Sequence, residues 1–385
     1  MKAIVVGAGM GGTSAALGLR KIGWDVEILE RVREVRPVGA AISIWSNGVK
    51  CLNYLGVGEQ VAKLGGDMAS MAYYDAFTGA TMTQFSLAPL VEHVGQRPYP
   101  VARGDLQRML MDAVGADSIR LGTEVVDVTQ DDDGVAAHLA DGTEVHGDLL
   151  IGADGAHSKI RQYVLGGPTT RRYSGYVNYN GLVPALPEIG PADQWSQWVG
   201  NGMRVSVMPV ADERFYFFLD VVLPVGLPSE RATLREELTG YFAGWAPPVQ
   251  ALMAAIDVER TNRVEIHDIE PFFTWTKGRV ALLGDAGHST TPDIGQGGCA
   301  AFEDAVELSW QLATNTLGVE DALRRYEARR APRTAELVLR ARGRCDVTHG
   351  KDPDATAAWY SELRASDGTD IIRGIEKNIV GGPFG

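Results

Sequence analysis

Apolar and polar residues change period along this chain, and each change marks an element. Ile4-Val5-Val6 is a β-branched run that stops at glycines. Thr13 to Ile22 then repeats at helical spacing, and Asp25 to Leu29 returns to strand texture and ends on Glu30. Helical spacing over Asn47–Leu55 is followed by a Gly56–Gly58 turn. Period-two alternation at Met71–Tyr74 and Met82–Phe85, around Phe77-Thr-Gly-Ala80, predicts an antiparallel hairpin. Arg103–Val114 is helical again, with Leu106, Met109, Leu110 and Val114 apolar. Ile119–Thr129 and Val135–Leu139 read as strands about the acidic turn Asp131–Gly134, and Asp148–Ala153 as another. From Tyr173 the texture turns aromatic and β-branched, in Tyr176–Val183, Arg204–Met208 and Arg214–Asp220, which predicts a second sheet. Leu234–Ile256 is helical with a break at Pro247-Pro248, Arg279–Leu283 is a buried strand, and Ala300–Leu312 and Val319 to about Arg344 are long helices. The two textures interleave, so the domains they predict are discontinuous.

The first turn carries the clearest chemistry. Gly7, Gly9 and Gly12 form G-x-G-x-x-G between a strand and a helix. The first glycine makes the tight turn, the second admits a pyrophosphate to the backbone, and the third lets helix pack on strand. The helix start adds free N–H groups and a positive dipole end. Glu30, eighteen residues after Gly12, stands where an acid accepts ribose hydroxyls. Two further glycine motifs follow apolar strands, Asp154-Gly155 and Gly284-Asp285, but only the first motif is a full dinucleotide fingerprint. Asp285 follows a buried strand and reads either as a ligand contact at the sheet's carboxyl edge or as a helix N-cap. Arg103, at a helix start, offers a fork of donors to a phosphate or forms a surface ion pair. Gly39 and its neighbouring alanines suit either backbone lying close to a flat ligand or an ordinary buried strand.

Composition narrows the class. A net charge of -13 over 385 residues argues against a general nucleic-acid surface, and an anionic substrate then needs its own local cation. Glutamates interleave with the arginines of the charged helix 324–344, which reads as a solvated face. Cys51, Cys299 and Cys345 are odd in number, far apart and without metal spacing, as expected in a reducing compartment with no disulfide framework and no metal site. No apolar stretch approaches the roughly eighteen residues of a membrane span, and the short run after Lys2 breaks into glycines too early for a signal peptide. The expectation is a cytoplasmic enzyme.

With these three glycine motifs in order, the sequence resembles the group A flavoprotein monooxygenases, the single-component FAD-dependent aromatic hydroxylases, along nearly its whole length. The resemblance implies an α/β fold: a Rossmann-like FAD-binding domain, an interleaved mixed or antiparallel substrate sheet, and a C-terminal helical stretch. It divides the chain into FAD-binding parts at 1–70, 101–172 and 271–385 and substrate parts at 71–100 and 173–270. It implies FAD as a tight non-covalent cofactor, with NADH and O2 as co-substrates and oxygen delivered through a flavin C4a-hydroperoxide. Cofactor contacts are implied at Gly7, Gly9, Gly11, Gly12, Glu30, Arg31, Ser43, Arg103, Val125, Asp154 and Asp285. Gly295, Gly297 and Gly298 precede a helix and are implied to face the flavin, with N–H groups stabilising charge near N1 and O2. Cys299 follows them as a small residue at the helix start. The family commonly has Gly-Asp-Ala-Ala where this chain has Gly284-Asp-Ala-Gly287.

On period two, Tyr176, Asn178 and Asn180 share a face, as do Arg204, Ser206 and Met208, and again Arg214, Tyr216, Phe218 and Asp220. Asn178, Arg204 and Tyr216 amid aromatics suit a flat, polar, anionic heterocycle, or else satisfy one another. The runs Tyr176–Gly181, Arg214–Phe218, Gly244–Pro248, Thr261–Arg263, Glu265–Pro271 and Gly284–Cys299 are similar to those of urate-hydroxylating members of the family. That likeness implies urate as the small-molecule substrate, hydroxylated at C5 to 5-hydroxyisourate. Arg204 and Tyr216 become candidate catalytic residues, with Asn178, Gly295 and Gln296 also at the substrate. His288 is a candidate base or a residue bonding the loop backbone. A hydroxypyridine or salicylate-like acid would satisfy Arg204 equally well, and a non-oxygenating FAD oxidoreductase or an FAD-binding sensor shares the fold.

Overall fold

The structure, a computed structural model, describes residues 1–34 and 39–385; Val38, which precedes the Gly39 stretch, lies outside them. The strand Lys2–Val6 is central in a six-stranded sheet. It pairs in parallel with Asp25–Glu30 on one side and with Leu149–Gly152 on the other. Val280–Leu282 extends the sheet in parallel beyond Leu149–Gly152. The helix Met10–Lys21 leaves the carboxyl end of the central strand and buries Ala15, Ala16 and Leu19. Burying a leucine side chain of that kind contributes about 2 kcal/mol. Gly18 lets this helix approach the helix Gly297–Thr314, since a Cβ there would stand 3.0 Å from the Ala305 carbonyl oxygen.

A seven-stranded sheet holds Asn262–Ile269, Arg171–Pro184, Arg214–Val222, Met203–Val210, Gln194–Gly200, Ser70–Asp75 and Thr81–Ser86 in that spatial order. All its pairs are antiparallel except Gln194–Gly200 with Ser70–Asp75. One face packs on the helices Leu234–Tyr241 and Pro247–Ala255, through Tyr179, Phe215, Phe217, Phe242 and Trp245. Among the described residues no helix is long and apolar enough to cross a membrane.

Three expectations are corrected and one strand was missed. The strand expected over 119–129 is two, Ile119–Leu121 and Val125–Gln130, in different sheets, because Gly122 turns at φ 69. The helix expected over 234–256 breaks ahead of its prolines, at 242–246, and Pro247 and Pro248 occupy the next helix's first turn, where a missing N–H costs nothing. The strand Gln194–Gly200 was not expected: its buried side chains mix Gln194, Ser196 and Gln197 with Trp198 and Val199, and Gln194 Nε2 donates to Tyr74 Oη at 2.7 Å and to Ser196 Oγ at 2.9 Å. The helix Val319–Thr348 is not simply a solvated face. Its Arg330 is 2% exposed and binds Glu303 at 2.8 Å and Asp304 at 2.6 Å, and Arg333 binds Glu303 at 2.7 Å.

Candidate active site

A cleft is lined by Gly9 and Gly11 of the first turn, by Ser43 and Arg103, and by Asn178, Arg204 and Tyr216 of the second sheet. The turn is built as the sequence requires. Gly7 sits at φ 106 and its N–H donates to the Leu29 carbonyl at 2.8 Å. A Cβ on Gly12 would stand 1.9 Å from the Gly7 carbonyl oxygen, whereas one on Gly9 would meet nothing within 4 Å, so Gly9 opens on the cleft. Glu30 accepts from the Ala8 N–H at 2.8 Å and the Val32 N–H at 3.0 Å, which fixes its carboxylate beside the turn; Arg31 next to it is exposed.

Two ambiguities resolve here. Arg103 begins the helix Arg103–Val114 and lines the cleft, and its side chain has no ion-pair partner among the described residues. Asp285 also lines the cleft, in the first turn of the short helix Asp285–His288, whose N-cap is Gly284; its carboxylate makes no hydrogen bond among the described residues. Gly295, in the loop before Gly297–Thr314, and Gly298, in that helix's first turn, are closely packed. A Cβ on Gly295 would stand 2.7 Å from Trp45 Nε1 and one on Gly298 would stand 2.4 Å from Ile42 Cδ1. That helix has no side-chain cap and no acid in its first turn, so its N–H groups and dipole remain available to an anionic ring edge. The Thr290 hydroxyl, in the cleft wall, is a buried polar group lacking a partner among the described residues. This donor set, with a dipole end and an open glycine turn, fits FAD.

The substrate end is more heavily paired than the strand pattern implied. Arg204 faces Asp220 across the sheet register. Its Nε and Nη2 bind Asp220 at 2.8 and 2.7 Å, and Nη2 reaches Asp293 at 3.3 Å. Nη1 has no hydrogen bond among the described residues, and Arg204 lines the cleft. Burial alone would lower the Arg204 pKa, but the two carboxylates hold it above the ordinary arginine value. Asn178 donates to Asp220 at 2.6 Å and accepts from Asn180 at 2.7 Å, so its amide braces the carboxylate. Tyr216 lines the cleft, and its hydroxyl has no partner among the described residues. Burial, with Asp220 adding, pushes that phenol well above its ordinary pKa.

Other expected residues stand outside the cleft lining. His288 is 3% exposed, bonds Asp304 at 2.7 Å and stacks on Trp275, and it does not line the cleft. Gln296 is buried and accepts from Asn47 at 2.9 Å. The Asp154 carboxylate accepts from Ser158 and the Lys159 N–H. Val125 is packed in an apolar cluster, leaving only its backbone to a ligand. Cys299 is fully buried against Gly48, and burial pushes its thiol up to about 12. Asp220, Asp293 and His349 were missed. Asp220 carried a signal, since it lies on the same period-two face as Tyr216.

Three comparisons bear on this site. The family described as FAD binding domain matches residues 1–341. The chain is 60% identical over 386 residues to the FAD-dependent urate hydroxylase of Mycolicibacterium vanbaalenii, covering 100% of this chain and 98% of that one. It is 57% identical to the FAD-dependent urate hydroxylase of Klebsiella pneumoniae, with 100% of both covered. It also superposes on Klebsiella pneumoniae HpxO complexed with FAD and uric acid, with TM-score 0.98, 56% identity, and 100% and 98% of the two chains covered.

Proposed function

The chain belongs to the FAD binding domain family and is an FAD-dependent aromatic-ring monooxygenase, and on that premise we propose that it hydroxylates urate at C5. Urate, NADH, O2 and a proton give 5-hydroxyisourate, NAD and water. The observation that carries this reading is full-length likeness to named urate hydroxylases, joined to an arginine in the cleft with one edge unspent.

FAD, when bound, supplies electron transfer from the nicotinamide and the activation of oxygen. The Gly9 turn and Arg103 would hold its phosphates, Glu30 its adenosine ribose, Asp285 its ribityl hydroxyls, and the N–H groups at Gly297 and Gly298 its pyrimidine edge. Arg204 turns its Nη1 edge to the urate anion and fixes which ring carbon faces the cofactor. Tyr216, kept neutral by burial, donates its hydroxyl to a urate oxygen or nitrogen. Asn178 acts one step back, holding Asp220 and through it Arg204. Phe218, Met208 and Trp195 supply apolar walls that exclude water from the reacting edge. Urate is already an anion at neutral pH and electron-rich at C5, so the site needs no strong base. Three free, buried cysteines suit a reducing compartment, and the reading includes a cytoplasmic location.

The test is a titration of the FAD-loaded protein with urate, salicylate and 6-hydroxynicotinate, following the flavin absorbance. Urate is expected to perturb the spectrum with the other two silent. A salicylate or hydroxynicotinate response with urate silent would overturn the substrate.

A further inference from the structure

Arg204 carries more negative charge around it than one guanidinium offsets. Asp220 and Asp293 both bind it, and the side chains of all three are nearly or wholly buried. Asp293 is ionised: burial by itself would raise its pKa, but His349 and Arg204 bring it down to about 2. One cation between two carboxylates leaves a net negative site, and a substrate anion entering it would meet uncompensated charge of its own sign where water cannot screen it.

His349 closes that gap. It caps the helix Val319–Thr348, is 6% exposed, and stacks on Tyr176 with ring centroids 3.8 Å apart. Its Nδ1 lies 3.3 Å from the Gly202 carbonyl oxygen. Its Nε2 lies 3.3 Å from Asp293 Oδ1 and 3.9 Å from Asp220 Oδ2, at ion-pair range but off the line of a hydrogen bond. Both ring nitrogens therefore face oxygens that only accept. A neutral imidazole has one N–H and would set a lone pair against one of them, whereas an imidazolium turns an N–H and positive charge toward both sides. The other polar groups packed around the ring are the Tyr176 hydroxyl, which donates to Asp293 at 3.0 Å, and the Cys345 thiol.

We propose that His349 is a positioning residue: its imidazolium, held against Asp293, offsets the second carboxylate and leaves the outer edge of Arg204 free for the substrate anion. Arg204 and His349 then balance Asp220 and Asp293, two charges against two. His349 does not itself line the cleft and acts through Asp293, which does. The inference rests on the urate reading above and deepens it.

The experiment measures urate KM, kcat and FAD content for the wild type, His349→Gln, Asp293→Asn and the double variant. Charge balance predicts that His349→Gln raises KM about tenfold, the scale of one lost charge-assisted contact, with kcat moving much less. Asp293→Asn alone should not weaken urate, and added to His349→Gln it should bring KM back toward the wild-type value. A merely structural role for His349 predicts no such rescue. An unchanged KM in His349→Gln, or a double variant that retains FAD and is no better than His349→Gln, would overturn the proposal while leaving the urate reading intact. Wild-type protein with no urate turnover would overturn both. If His349→Gln loses FAD, recovery of FAD and of KM in the double variant still supports the charge account, and failure of both overturns it.

Discussion

Arg204 and Asp220 stand directly opposite one another on neighbouring antiparallel strands, and their side chains close to 2.7 Å. The sheet, not the substrate, therefore sets where the guanidinium sits. Asp220 also takes the Asn178 amide, which locks the pair from the next strand.

Arg204→Gln removes a buried charge and strands two carboxylates, so it is expected to destabilise the fold by about 3–5 kcal/mol. It should also lose the contact to urate, worth about 1.5–3 kcal/mol. Thermal melts read the first effect. The second appears as less urate hydroxylated per NADH oxidised, with hydrogen peroxide making up the difference. Unchanged hydroxylation and peroxide yield would remove Arg204 from the substrate.

Tyr216→Phe keeps the ring and deletes a hydroxyl that no protein group engages among the described residues. Stability should move by less than about 0.5 kcal/mol, while urate kcat/KM falls roughly tenfold, as expected for one lost hydrogen bond. Because burial keeps the phenol protonated above its ordinary range, raising pH to the ordinary tyrosine value should not switch off this contribution. An alkaline limb present in the wild type and absent in Tyr216→Phe would contradict that assignment.

Asp293 links the site to acid stability. Its folded pKa of about 2 lies below the ordinary 3.8, so the unfolded chain binds the proton first as pH falls. The stabilisation is present in full above the unfolded value and is lost between about pH 4 and about pH 2, an amount of roughly 2 kcal/mol. Melting curves across that range should steepen for the wild type relative to Asp293→Asn. Equal acid dependence in the two proteins would remove Asp293 from the account.

The glycine turn separates folding from cofactor binding. A Cβ on Gly12 collides with the Gly7 carbonyl, so Gly12→Ala should impair folding outright. Gly9 has ordinary φ and ψ of -69 and 178 and open space at its Cβ, so Gly9→Ala should fold with the wild-type apoprotein melting temperature. Its methyl group then stands where the pyrophosphate would pass, and FAD affinity should fall by more than about tenfold. Full FAD retention in Gly9→Ala would move the phosphate site elsewhere.

What was legible in the sequence was local. The Gly7–Gly12 turn, the helix after it and Glu30 lie within one βαβ unit, so spacing alone predicts them. Period two correctly grouped Arg204 with its strand face and Tyr216 with Asp220, but it could not say that Arg204 and Asp220 bind each other. That depends on the register of two strands, and the Asp293 and His349 contacts depend on chain segments far away. His349 was further hidden at the end of a helix rich in arginines. His288 was misleading for the opposite reason: it follows Gly284-Asp285 closely in sequence, yet the helical turn between them points it at Asp304 and away from the cleft. Gln194–Gly200 escaped notice because Gln194, Ser196 and Gln197 are buried alongside its apolar residues and break the apolar pattern.

The most direct measurement follows NADH oxidation and urate loss together, in air, with the FAD-loaded protein. The account predicts that NADH oxidation depends on urate, that the two disappear one for one, and that little peroxide accumulates. NADH oxidation that urate does not affect, or that leaves urate intact while peroxide builds up, would contradict it.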